Sequence, residues 1–325
     1  MRFGQTSEQS AFAAALDDLL SSSEVSAVSR DWARGETGPG LDLWRHLAEL
    51  GVTALLVPDA YDGLGASPVD LTVAFNRLGY HGVPGPWVET VAVLPELLTQ
   101  VDEGKALTAI ASGEVLATLA APPRVPRALD ADVADHVFTL DADAMLQRGD
   151  PGSRRQSVDP TRRLFEVLPG DTAGIVDVGR ALELGTLACS AQLLGAGGRL
   201  LADTVTYANQ REQFGKPIGA QQAVKHLLAD VRVALDFAAP LVHNAAVELD
   251  AEAPTAARSV SAAKVAAGDA AYLASRTALQ VHGAIGYTRE FDLSLWILKV
   301  RALVGAWGTP AEHRARILES LLEGR

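Results

Sequence analysis

Apolar residues recur at helical spacing over residues 8–22, where Phe12, Leu16, Leu19 and Leu20 share one face, and again over 41–50. The stretch ELGVTALLVPDAYDGLGAS then ends a helix at Gly51, passes through a short buried run and turns at a Pro/Gly cluster. Helical spacing resumes from Asp70 to Leu78, so residues 1–115 read as a helical domain.

The pattern changes after Glu114. Residues 116–173 are rich in Pro, Asp and Arg and carry short alternating runs such as His136 to Leu140, which predict strands and turns. At roughly 57 residues the segment is small for a self-sufficient sheet domain. From Asp177 onward helical periodicity dominates, over 180–210, 220–249, 255–282, 291–304 and 310–322. On the second of these, Val224, Leu227, Leu228, Val231 and Leu235 form one apolar stripe, and residues 174–325 read as a helical bundle with short connections. The fold class is mainly α, with a small β-rich middle segment.

Composition narrows the function. In 325 residues, 48% are hydrophobic and 21% charged, which is ordinary for a globular chain. The net charge of −12 comes without a polybasic run, which argues against nucleic acid as a partner. Cys189 is the single cysteine, so no intrachain disulfide or cysteine-clustered metal site can form; it reads as a small apolar filler on a helix. No apolar run reaches bilayer-spanning length and the first twenty residues carry no basic start with an apolar core, so the expected location is the cytoplasm, away from membranes. His226, His243 and His282 are not spaced as metal ligands and read as polar bundle residues.

Two motifs interrupt the bundle. In NQREQFGKPIGAQQ, Arg211 follows a helix end, Pro217 and Gly219 prevent continuation, and Ala220 starts the next helix. A guanidinium beside a helix N-terminus suits a phosphate or diphosphate, with Phe214 available to pack on a ring. The same residues also fit a plain surface arginine beside a loop-anchoring phenylalanine. In LQVHGAIGYTREFD, Gln280 closes a helix, Gly283 and Gly286 make a turn, and a helix restarts over Thr288 to Phe291.

In order and spacing these two stretches resemble the C-terminal bundle of the acyl-CoA dehydrogenase family. LWRHLAELGVTALLVPDAYDGLGASPVDL resembles that family's N-terminal helical domain, with Asp62 where a second glycine is usual. The resemblance implies that Arg211, Gln213, Phe214, Gln280 and Gly283 grip the diphosphate and adenosine half of an FAD whose isoalloxazine lies in a neighbouring subunit. The second glycine of the family's Q-x-H-G-G motif is Ala284 here, which puts a methyl group beside the expected diphosphate.

Family members abstract the α-proton of an acyl-CoA thioester with a glutamate while the β-hydride leaves to flavin. Of the two known positions for that glutamate, one corresponds to Trp307 in GAWGTPAEHR and the other, about 26 residues before Arg211, to Gly185. Glu183 is the candidate displaced base, but two residues turn a helix by roughly 200°, which points it elsewhere and leaves it a solvated helix carboxylate. The family's flavin-facing T-E-x-x-x-G-S-D and W-I-T segments have no counterpart between Val115 and Gly174.

The chain thus resembles the shortened, non-catalytic subunit of heteromeric acyl-CoA dehydrogenases that act on steroid side-chain thioesters in actinobacteria. The resemblance implies a homologous full-length partner that holds most of the acyl-CoA, a shared FAD, and an electron-transfer flavoprotein as electron acceptor. Two rivals stand beside it: a self-contained dehydrogenase using Glu183, and a helical scaffold that has lost flavin.

Overall fold

The computed structural model describes residues 4–288 and 291–323. Helix α1 (Ser7–Ser22) begins in a capping box: the Thr6 hydroxyl accepts from the backbone of Gln9, whose side chain returns to the backbone of Thr6. Helix α2 (Val25–Arg34), which the spacing pattern does not single out, buries Trp32. Helix α3 (Gly38–Glu49) follows, and Asp62, at the position usual for glycine, adopts a left-handed φ of 58°. Helix α4 (Pro68–His81) repeats the capping box with Ser67 and Asp70 and ends at left-handed Gly82. A wide-turn π-helical segment (Val88–Val93) leads into α5 (Leu94–Leu98) and α6 (Gly104–Ala111).

The middle segment folds into a sheet of β1 (Ala117–Ala120), β2 (Ala128–Leu129), β3 (His136–Leu140), β4 (Met145–Arg155) and β5 (Leu164–Ile175). Strand order is β1-β3-β4-β5-β2, with β1 parallel to β3 and the other pairs antiparallel. The β3 strand coincides with the predicted His136 to Leu140 run. Leu119, Phe138, Leu140 and Leu146 join the same core as the helices, while Ala120, Ala128, Val137 and Phe165 form a small separate cluster. One sheet face therefore depends on the helices for its burial, which is how so short a segment stays folded. A fully buried pair pins it further: Arg163 Nε lies 3.0 Å from Asp130 Oδ1, and the Trp32 indole donates to the same carboxylate at 3.1 Å.

The bundle comprises α7 (Gly179–Gln210), α8 (Gln222–Asp250), α9 (Ala256–His282), α10 (Leu293–Gly305) and α11 (Pro310–Glu323). Helix α8 starts at Gln222 behind a short 3-10 turn (Ile218–Ala220), two residues later than Ala220. Helix α10 starts at Leu293; of the stretch Thr288 to Phe291 expected to restart it, Arg289 and Glu290 lie outside the described residues. Helices α4 and α7 meet at backbone contact: a Cβ on Gly195 would lie 1.9 Å from the Asn76 carbonyl oxygen, and one on Gly79 2.2 Å from that of Gln192. Cys189 is buried beneath α10, and burial pushes its thiol above the usual range. Lys264, also buried, donates to the carbonyls of Leu303 and Val304 at 3.1 and 3.0 Å, placing a cation at the C-terminal end of α10.

The α8 stripe differs from expectation. Val231 and Leu235 are buried, whereas Val224, Leu227 and Leu228 are only half-buried. A second apolar row of Val233, Phe237 and Leu241 at fourfold spacing faces outward, with Phe237 76% exposed. The helix has two apolar rows, and periodicity alone does not say which one the chain's own core takes. No helix of the described residues is long and apolar enough to cross a membrane.

Candidate functional site

Trp307 and Gly185, the two positions at which the sequence resemblance would place a catalytic glutamate, touch each other. Trp307 is buried, 2% exposed, and its six-membered ring lies over the Cα of Gly185, where a Cβ would stand 2.5 Å from Cζ3 and 2.6 Å from Cε3. Trp307 and Gly308 both take left-handed φ values, 58° and 99°, in the turn before α11. Thr309 and Glu312 close that turn as a capping box, with Thr309 N donating to Glu312 Oε2 at 2.6 Å.

The His313 ring supports the turn from below. Its Nε2 lies 2.9 Å from the Trp307 carbonyl oxygen and its Nδ1 3.2 Å from Ser261 Oγ. Burial, partly opposed by the bond to Trp307, pushes its proton affinity down to about 4. The imidazole is therefore neutral at pH 7, donating through Nε2–H to the carbonyl and accepting at Nδ1 from Ser261.

Glu183 joins the same network and is not the solvated carboxylate expected of it. It is buried, accepts from Arg316 Nη2 at 2.6 Å, and has Arg124 Nη1 at 3.7 Å. Arg316 Nη1 also donates to Ser261 Oγ at 3.0 Å. A continuous chain of polar contacts thus runs from Glu183 through Arg316, Ser261 and His313 to the backbone of Trp307. Glu183 faces α11 and holds it to α7, so its carboxylate works in packing. Gly185, two residues on, presents bare backbone to the indole, in line with the expected rotation between the two.

The two sequence motifs meet at one end of the bundle. Helices α7 and α9 pack directly on each other, and near their C-terminal ends the Tyr207 ring stacks on the His282 ring with centroids 4.1 Å apart. Arg211 caps α7 and leads into a tight two-stranded hairpin of β6 (Glu212–Gln213) and β7 (Lys216–Pro217). Arg211, Gln213, Phe214, Gln280 and Ala284 are all exposed, and Gly283 is half-buried. Phe214 is 92% exposed at a left-handed φ of 52°, so it does not anchor its loop within this chain. Gly283 has φ 63° and ψ −136°, a conformation that requires glycine, while Ala284 in the following 3-10 turn has no positive φ and tolerates its methyl group. His282 Nε2 is buried at this end without a hydrogen-bond partner.

Of the other histidines, His226 contacts Gln222 on the exposed side of α8 at 3.1 Å and His243 lies further along the same helix. Among the described residues no three His, Cys, Asp or Glu side chains gather as metal ligands.

Glu89 is the residue that motif reading missed. It sits in the π-helical segment, 1% exposed, and lines a cavity of about 400 Å³ together with Trp307, Arg124, Arg162 and Leu164. Burial, partly offset by Arg162, pushes its carboxyl up to about 7. The one signal in the sequence is an acid set inside the apolar run PWVETVAVLPELL.

A helical front half closed onto a small sheet and an antiparallel bundle, with the R-x-Q-F-G hairpin beside the Q-x-H-G turn, defines the class. The chain belongs to the acyl-CoA dehydrogenase family, a family of oxidoreductases: the family's N-terminal domain matches residues 6–114 and its C-terminal domain residues 172–322. It is 31% identical over 284 residues to acyl-CoA dehydrogenase IpdE2 of Mycolicibacterium smegmatis, spanning 87% of this chain and 88% of that protein. The fold also matches a chain of the ChsE4-ChsE5 complex from Mycobacterium tuberculosis, with TM-score 0.85, 23% identity and 99% of both chains covered. A chain of the Tcur3481-Tcur3483 steroid acyl-CoA dehydrogenase matches with TM-score 0.84 at 20% identity over 98% of each chain.

Proposed function

We propose that this chain is the non-catalytic subunit of a heteromeric acyl-CoA dehydrogenase that desaturates a steroid side-chain CoA thioester in the cytoplasm. It divides functionally at residues 1–115, 116–173 and 174–325, the last part completing the FAD site of a homologous full-length partner. The observation that carries the reading is the contact of Trp307 with Gly185: neither base position holds a group that accepts a proton, and the indole fills the space between them. The two-chain assemblies named among the structural neighbours support a heteromer.

The exposed hairpin and turn fit the outer half of an FAD. Arg211 would pair with the diphosphate, Gln213 and Gln280 would hydrogen-bond it, Gly283 leaves its approach open, and exposed Phe214 would pack on a ring. When bound, FAD supplies hydride acceptance, with an electron-transfer flavoprotein as the final acceptor. Glu183, held by Arg316, is set aside as a base for a self-contained enzyme.

Co-expression with the full-length partner tests the reading. The chain alone is expected to be colourless and inactive, and the complex yellow with about one FAD per pair of unlike chains. Stoichiometric flavin in the purified single chain would overturn the assignment, and a flavin-free complex would favour the scaffold reading.

A further inference from the structure

The cavity lined by Glu89 lies where the middle sheet meets α10; Arg124 on its wall is ion-paired to Glu183 at 3.7 Å, whereas Glu89 and Arg162 have no such partner among the described residues. Glu89 Oε2 is buried and accepts no hydrogen bond, and Arg124 Nη1 is buried without a hydrogen-bond partner. The Arg162 guanidinium, which borders both this cavity and an adjoining one of about 390 Å³, makes neither a side-chain hydrogen bond nor an ion pair among the described residues. It is near enough to Glu89 to pull that carboxyl's proton affinity down, yet the two are not paired. The rest of the wall combines an apolar part, with Val125, Leu164 and the Trp307 indole, and a polar part with Arg127, Gln156, Ser157 and Arg301.

We propose that this cavity binds a hydroxylated carboxylic acid with a ring-sized apolar body, taken as the free acid and independently of flavin. Each part of the ligand answers a group on the wall. A carboxylate pairs with the Arg162 guanidinium, with Arg124 close by, and a planar guanidinium matches a carboxylate through two parallel hydrogen bonds. A hydroxyl satisfies Glu89 Oε2 in either protonation state, since it donates to the carboxylate and accepts from the acid. The apolar body covers the indole and Leu164, which a bare phosphate would leave wet. A thioester carbonyl is neutral and gives the guanidinium no counter-charge, so the group that meets Arg162 is a carboxylate.

The probe is a hydroxynaphthoic acid with its hydroxyl on the ring remote from the carboxylate, titrated into the full chain alone and into its complex by calorimetry and probe fluorescence. Saturable binding near one per chain with a Kd of roughly 10–100 µM is expected, with naphthoic acid and naphthol each about tenfold weaker. Arg162→Gln should weaken the hydroxynaphthoic acid about tenfold or more while leaving naphthol unchanged. Glu89→Leu should erase the advantage of the hydroxylated acid over naphthoic acid; if that variant does not fold, Arg162→Gln carries the test alone. Absence of saturation by about 1 mM, indifference to Arg162→Gln, or displacement by free CoA would each overturn the assignment. The inference rests on the reading that no isoalloxazine occupies this cavity in the chain itself. A single chain purified with flavin would sink that reading, whereas a colourless chain that ignores the probe sinks only this one.

Discussion

Adding one methyl group at Gly185 tests the contact on which the functional reading depends. In Gly185→Ala the new Cβ would meet three atoms of the Trp307 ring at 2.5, 2.6 and 2.9 Å. The ring is buried and its backbone is tied to His313, so it has little room to give. Overpacking of this kind costs about 1–3 kcal/mol, against which alanine in a helix interior gains about 1 kcal/mol over glycine. A net destabilisation of about 1–2 kcal/mol is expected, from the upper part of that range because three atoms clash. Trp307→Ala alone should cost about 3–5 kcal/mol as a buried large-to-small change. In that background the clash is gone, and Gly185→Ala should become stabilising by about 1 kcal/mol. The two changes therefore couple by roughly 2–3 kcal/mol with a reversal of sign. Urea unfolding of the four proteins, followed by far-UV circular dichroism, measures the cycle. Additivity within about 0.5 kcal/mol would refute the packing argument and with it the claim that the indole fills the base position.

Glu89, with its carboxyl raised to about 7, binds a proton in the folded chain that it releases in the unfolded one between pH 4.5 and 7, so its contribution lowers stability as pH rises through that window. His313 acts in the opposite sense, its folded value of about 4 lying below the ordinary 6.5, so its contribution is lost as pH falls. The difference between wild type and Glu89→Gln isolates the first: the variant should gain about 2–3 kcal/mol on going from about pH 4.5 to about pH 8, and a flat difference in unfolding free energy would disprove it. Arg211→Ala should weaken FAD retention in the assembled complex by about 1.5–3 kcal/mol with Arg211→Lys recovering part, measured as flavin dissociation with assembly checked by sedimentation; unchanged affinity would reduce the hairpin to packing. Glu183→Gln should leave turnover of the complex unchanged while costing about 1–3 kcal/mol of stability through its lost bond to Arg316, and a hundredfold loss of turnover with folding intact would restore Glu183 as a base.

Much of the fold was legible because long amphipathic helices announce themselves by period. The bundle segments and the β3 run fall where spacing puts them, with boundary differences at Gln222, where a 3-10 turn intervenes, and at Leu293. Helix α2 was not marked because Trp32 and its neighbours are interleaved with charged residues. The base positions were legible only through the family motifs, and that Trp307 rests on Gly185 depends on how α11 docks, which no spacing encodes. The same holds for Glu183: its solvated or buried state turns on Arg316, 133 residues away in the chain. Glu89 left a mark as an acid in an apolar run, but the cavity around it comes from three separate segments, and only their folding together creates it.

The interlocked glycines of α4 and α7 bear on how such a chain can change over generations. With Gly79 and Gly195 each pressed against the opposite backbone, the front helices and the bundle meet at two points that only glycine fits. A recombined protein that joins this bundle to the front half of a relative would have to inherit both glycines together, since either one replaced by alanine separates the helices. The bundle is therefore not an exchangeable cassette, and the front half and the bundle are expected to be inherited and to change as one unit.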